Sequence, residues 1–349
     1  MKTMKTIKYL LIASFAFTIV SCSDNDDLMP IMEKYDNGLF VTCEGNFMSS
    51  NGSLSFIAED GSIENGIFQE VNGFPLGDVV QSMSIIDTLA YIVVNNSGKV
   101  VVADAGTMEY ITDISIQMPD HITAVSDDVA YVTDWNNFLP NGFVHVIDLA
   151  TNEITNSIQV GHQPGEILYS NGYVFVIASG VWPAAGNSIS VIDVESELVV
   201  GNIIVPTNPI NIEINQNNLW VLSKGEVQGW PEESVTPGSL TSINTSTLQI
   251  DKVIQLHGGK IPRGLDCNDN LLYFRNGETI YNQSVFDQEL NATEIVSGNF
   301  DNEIIIYENS IFSAYVPAYD LAGEVYQYSF NGDLQNTFQV GIAPGSFGF

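Results

Sequence analysis

At 349 residues the chain is long enough for two ordinary domains, and its 45% apolar content can fill a sizeable core. It carries 10 Lys and Arg against 42 Asp and Glu, a formal charge of −32, which argues against nucleic acid or an anionic lipid surface as a binding partner. No CxxC, HExxH, GxSxG or P-loop pattern occurs, so none of the chemistry tied to those spacings is expected.

The chain opens like an export signal. Lys2, Lys5 and Lys8 form a positive head, and residues 9–20 are an apolar run too short to span a bilayer as a stable helix. Ile19-Val20-Ser21-Cys22 resembles a bacterial lipobox. We therefore expect residues 1–21 to be a lipoprotein signal peptide, with Cys22 lipidated at the start of the mature chain. Ser23-Asp24-Asn25-Asp26-Asp27 follows at once. Residues 22–37 read as an acidic, flexible tether, and an acidic run in that place resembles the surface-export signal of Bacteroidetes-type lipoproteins. The expected location is the outer membrane, lipid-anchored and facing the exterior. Charge cannot hold so acidic a chain to a membrane, so the lipid must.

From residue 38 onward the sequence repeats one unit, clearest at residues 161–205. There a short extended piece (166–169) precedes the turn Asn171-Gly172. The apolar run YVFVIA (173–178) follows, then a Gly/Pro-rich stretch expected to be a loop (180–188). ISVID (189–193) turns at Glu195-Ser196-Glu197 and returns as residues 199–205. The runs are the length of strands and shorter than typical helices. Four antiparallel strands in about 45 residues are the size of one β-propeller blade. The start of the second strand recurs at Phe40, Tyr91, Tyr131, Tyr173, Trp220, Tyr273 and Phe312. The end of the third recurs as VVAD at 101–104, HVID at 145–148, SVID at 190–193 and TSIN at 241–244. The expected fold is all-β: a seven-bladed propeller over residues 38–349.

Six blades occupy residues 79–117, 118–160, 161–205, 206–256, 257–298 and 299–340. The seventh lacks a first strand of its own, because LFVTCEGN after Gly38 already reads as a second strand. The chain ends GIAPGSFGF, which parallels GHQPGEILY at 161–169, the opening of a blade. The C-terminal strand is thus expected to close the ring, burying Phe347 and Phe349 and removing two free sheet edges. Cys43 and Cys267 fall in different blades without metal-ligand spacing and read as small buried residues.

Topology sorts the loops. In an up-and-down blade, loops joining strands two and three share a face with the loops leading into strand one. The long insertions, residues 134–142, 180–188, 225–239 and 316–323, are all of the first kind. They carry Trp135, Phe138, Trp182, Trp230 and Tyr319, and residues 45–52 add Phe47 on the same face. Loops leading into first strands bring His121, His162, His257 and Arg263, expected nearer the axis. Large aromatic side chains gathered on loops make a recognition surface. These ten residues are the candidate ligand site. The histidines have no shared acidic partner in sequence, so no catalytic residue, metal ligand or cofactor is expected. The negative surface disfavours an anionic ligand unless Arg263 and the histidines meet it locally.

Ala130-Tyr131-Val132-Thr133-Asp134, with Ser190-Val191-Ile192-Asp193 and the Pro-containing turn after Val205, resembles the YVTN (YncE-like) family of propeller repeats. GLFVTCEGN (38–46), NGFPLGDVVQS (72–82) and YIVVNNSGK (91–99) are similar to Bacteroidetes surface lipoproteins of the BtuG cobalamin-binding family. That resemblance implies a surface protein that binds a bulky nutrient, a corrinoid among the candidates, and hands it to a TonB-dependent outer-membrane transporter. The ligand itself is not carried over, because no corrinoid-contacting positions match. The expected activity is non-enzymatic. A lactonase-like hydrolase and a protein-interaction or adhesion scaffold stay open as alternatives.

Overall fold

The computed structural model describes residues 34–181, 184–229, 231–300 and 302–349. The leader, Cys22, Trp182 and Trp230 lie outside these. Seven four-stranded antiparallel sheets follow one another as the blades of a propeller. The first strands of blades 2 to 7 are Val80–Ile86, Pro119–Ala124, Pro164–Ser170, Pro209–Asn215, Pro262–Asn268 and Ile304–Tyr307. First strands of consecutive blades touch, which places them around the axis.

The apolar runs are second strands, and their two faces serve different blade interfaces. In Leu89–Val94, Ala90, Ile92 and Val94 pack towards blade 1 with Phe40 and Leu54. Tyr91 and Val93 pack towards blade 3 with Val132 and Ile147. A side-chain period of two, with a neighbouring blade on each face, makes the whole run apolar. Each such side chain contributes roughly 1.5–3 kcal/mol on burial.

The residue ending the third strand fixes the next turn. The Oδ1 atoms of Asp104, Asp148, Asp193 and Asn244 accept the backbone N–H of Thr107, Thr151, Ser196 and Thr247 at 2.8–2.9 Å. The following residues, Met108, Asn152, Glu197 and Leu248, adopt positive φ. This side-chain-closed turn is why the repeat ends in Asp or Asn.

The ring closes through the C-terminus. Pro344–Gly348 pairs antiparallel with Gly38–Cys43, matching Val41 with Phe347 and Cys43 with Pro344. Phe347 is buried among Leu39, Val41, Phe312 and Phe338, joining blades 7 and 1. Phe349 differs from expectation: it is 62% exposed, with its ring centroid 5.4 Å from that of Tyr307, because it lies one residue past the paired strand. Gly323 sits where a β-carbon would stand 2.2 Å from Cδ of Pro344, and Gly142 stands in the same relation to Pro164 of the next blade. No larger residue fits at either contact.

Two local expectations are corrected. Residues 180–188 are not an open loop. The strands Tyr173–Val181 and Ala184–Asp193 continue pairing through Gly180↔Ala185, since Gly186 lets the two backbones approach closely. Tyr35, expected in the flexible tether, is buried against Phe40 and Phe56, and its N–H donates to the carbonyl of Gly106.

Candidate functional site: the axial cavity and its mouth

Five first strands begin with proline: Pro119, Pro164, Pro209, Pro262 and Pro344. Just after it, the pairing with the second strand slips, between Pro119 and Ile122, Pro164 and Ile167, and Pro209 and Asn211. Gln163, Asn208 and Ala343, each immediately before the proline, take positive φ. Such a bulge frees one or two residues from the ladder and re-aims their side chains. Here the freed His121 and Glu166 line the axis, joined by Asn211 and Arg263, which stay paired beside the slip, and by Glu303 from blade 7.

These side chains form a polar set from five blades. The Asn211 amide donates to Oε1 of Glu166 at 2.6 Å and to both carboxylate oxygens of Glu303, at 3.0 and 3.2 Å. The Ile212 N–H donates to Oε2 of Glu166 at 2.7 Å. His121 Nδ1 lies 2.8 Å from Oδ2 of Asp120, and the Asp120 carbonyl accepts from the Ser82 hydroxyl at 2.6 Å. Burial, and then the charge of Glu303, pushes the Glu166 carboxyl up to about 8. Burial raises Glu303 as well. Burial alone would lower His121, but the charge and hydrogen bond of Asp120 and the fields of Glu166 and Glu303 raise it to about 9. Near neutrality the set therefore holds a protonated carboxyl group and an imidazolium, groups able to donate protons to a bound molecule.

A second acidic cluster lies further along the same strands. The ligand atoms of Glu213, Asp266 and Cys267 lie within 4.8 Å of one another. Burial and the charges of Asp266 and Glu166 push Glu213 up to about 8, and burial pushes Asp266 up to about 6. Cys43 and Cys267 are both free thiols, raised by burial to about 11 and about 12. Cys43 is buried, as expected, whereas Cys267 is only half-buried.

Above the polar set is a cavity of about 920 Å³, lined by His121, Trp135, Glu166, Asn211, Lys224 and Arg263 among others. Beside it lies a depression of about 1120 Å³ that includes Lys260, Arg263, Arg275 and Tyr319. Of the ten residues singled out in sequence, Trp135, His121 and Arg263 line the first cavity, and Arg263 and Tyr319 line the second. The Trp135 indole Nε1 is buried and has no hydrogen-bond partner among the described residues. Phe138 lies beside Trp135, centroids 5.6 Å apart, and is half exposed. Phe47 and Tyr319 are exposed, on loops joined by a bond from the Asn46 amide to the Tyr319 carbonyl. Trp182 and Trp230 lie outside the described residues.

His162 and His257 line neither the axial cavity nor the depression beside it. Both are exposed, and only their carbonyls are engaged, by Gly180 N–H and the Asn276 amide. They precede the proline, so the bulge that turns His121 inward does not act on them. Sequence reading also passed over Glu166, Asn211 and Glu303. The signal was present: in blades 3, 4 and 5 the axial residue stands two places after the proline, in PDH, PGE and PIN.

Fold and site together define a seven-bladed propeller with a ligand-sized cavity at one mouth of its axis. The sequence matches, over residues 37–341, the family described as Domain of unknown function (DUF5074), and the chain belongs to that family. No curated protein matches it. Among solved structures, it is similar to the periplasmic gluconolactonase PpgL of Pseudomonas aeruginosa, with 11% identity, a TM-score of 0.63, and 88% of this chain and 98% of that one covered. It is also similar to Kuenenia stuttgartiensis hydrazine synthase, with 16% identity, a TM-score of 0.59, and 85% and 96% covered. A third is apo AztD from Citrobacter koseri, with 10% identity, a TM-score of 0.55, and 89% and 97% covered. At such identities the likeness is one of fold.

Proposed function

We propose that this protein is a surface-exposed lipoprotein that binds a bulky nutrient over its axial cavity and presents it to a TonB-dependent outer-membrane transporter. The observation that carries the reading is the cavity of about 920 Å³, whose lining sets the Trp135 ring beside the polar groups of His121, Asn211 and Arg263. The volume falls within the range of small-molecule sites. The leader, with its lipobox-like Ile19-Val20-Ser21-Cys22, supports the location. The resemblance to YVTN repeats and to BtuG-type lipoproteins supports nutrient capture, with a corrinoid as one candidate. A thermal-shift screen against corrinoids, haem, siderophores and oligosaccharides tests it. For the compound that binds, Trp182→Ala with Trp230→Ala should weaken affinity by about thirtyfold, the effect of losing one hot-spot aromatic. Full affinity in a folded double variant would move the site away from these loops.

A second reading draws on Glu166, Glu303 and His121. Two carboxyl groups that meet on one amide, with an imidazole beside them, are groups able to act as acid and base on an ester or lactone. Turnover of a lactone panel that disappears in Glu303→Gln would favour this hydrolase reading over capture alone.

A further inference from the structure

Outside the leader the chain has seven basic residues, and four of them, Lys224, Lys260, Arg263 and Arg275, gather at one side of the mouth. We propose that they form a subsite for an oxyanion, a carboxylate or phosphate group of the ligand, and that Glu232 holds its place in the empty protein. The proposal rests on reading the mouth as the ligand site.

Three observations carry it. First, Arg263 lines both the axial cavity and the adjoining depression, so a group bound there would be shared between them. Second, Arg263 and Arg275 stand directly opposite each other on paired strands. Like charges so placed destabilise a sheet, and Lys224 of blade 5 is lowered by burial and by the fields of Arg263 and Arg275. Arg275 serves the fold, its guanidinium donating to the carbonyls of Gly277 and Phe300, whereas Arg263 is more exposed and reaches Glu232 at the mouth. Third, one carboxylate serves two of these cations. Glu232 Oε2 lies 3.0 Å from Lys224 Nζ and 3.1 Å from an Arg263 guanidinium nitrogen. Glu233 and Glu278 line the same depression, yet neither is ion-paired with Lys224, Lys260 or Arg263 among the described residues.

Glu232 belongs to the blade 5 insertion, on the small hairpin of Val227–Gln228 and Glu233–Ser234, not to a core strand. Its carboxylate therefore stands where a ligand's oxyanion would take the Arg263 fork and the Lys224 ammonium. Exchange of one oxyanion for the other leaves the cations paired throughout. The exposed Lys260 adds a third charge that Glu232 does not use.

The test uses calorimetric titration of the soluble mature chain with pyrophosphate and, separately, citrate, with an uncharged polyol as control. Glu232→Gln removes the competing charge and should tighten binding of at least one anion about tenfold over wild type, the worth of one charge-assisted contact. Tighter pyrophosphate alone assigns a phosphate group, and tighter citrate alone a carboxylate. Adding Arg263→Gln or the surface change Lys260→Gln to Glu232→Gln should reverse the gain, and rising salt should weaken it. The proposal is overturned if Glu232→Gln binds neither anion more tightly, or if the gain survives both added substitutions. The nutrient screen is independent of this result: a neutral ligand at an intact mouth would uphold the capture reading while the anion subsite failed.

Discussion

The bodies of the blades and the axial ends of their first strands obey different constraints. In the bodies, equivalent positions hold equivalent residues: Tyr91, Tyr131 and Phe175 stand third in their second strands, and Asp104, Asp148 and Asp193 close third strands. At the axial ends, equivalent positions hold His121, Glu166 and Asn211. Packing between two blades and the closure of a turn allow few solutions, so the body repeats. A residue freed by a bulge and facing a cavity has no such duty, and its chemistry can vary from blade to blade. The propeller fixes where these groups stand, and the individual blade decides what each one does.

That contrast makes separable demands. The largest effect should follow from breaking a body. Deleting residues 341–349 removes the Pro344–Gly348 strand and the buried Phe347. The loss should exceed about 3 kcal/mol, since Phe347 contributes roughly 1.5–3 kcal/mol and each lost main-chain bond adds about 0.5–1.5 kcal/mol. Chemical denaturation measures it, and an unchanged midpoint would mean that the ring does not depend on this strand.

Changing an axial end should leave folding intact and alter only its response to pH. Glu166 is raised from 4.5 to about 8 and His121 from 6.5 to about 9. In both cases the native state holds protons that the unfolded chain has released. Their contribution is therefore complete below the unfolded values and is lost as pH rises through about 8 and about 9. Wild-type Tm should fall between pH 6 and 9. In Glu303→Gln one of the charges that raises Glu166 is gone, so the fall should be shallower and the variant should melt above wild type at pH 9. Parallel profiles for the two proteins would detach the carboxyl pair from the stability of the fold.

The bodies were legible in the sequence because their signals are local and repeated: apolar runs, Asn-Gly and Asp-terminated turns, and a C-terminal segment that reads like a blade opening. The face carrying the long loops followed from strand order. The axial set was not legible as a cluster, because His121, Glu166, Asn211 and Glu303 come from four blades and meet only across the ring. His162 and His257 misled because being near a first strand was taken as facing the axis. Residues at or beside the bulge after the proline turn inward, and Glu166 reads in sequence merely as part of a strand.

The central claim, that ligand is bound at the cavity mouth, meets its most direct test in a pair of aromatic truncations. Trp135 lines the cavity. Tyr110, 40% exposed, follows a tight turn of the opposite face, at the start of the outer strand Tyr110–Ser115. With the ligand identified by screening, calorimetry on Trp135→Ala should show a loss of about thirtyfold, and Tyr110→Ala should bind like wild type. Wild-type affinity in a folded Trp135→Ala, together with a loss in Tyr110→Ala, would contradict the account and place the ligand on the other side of the ring.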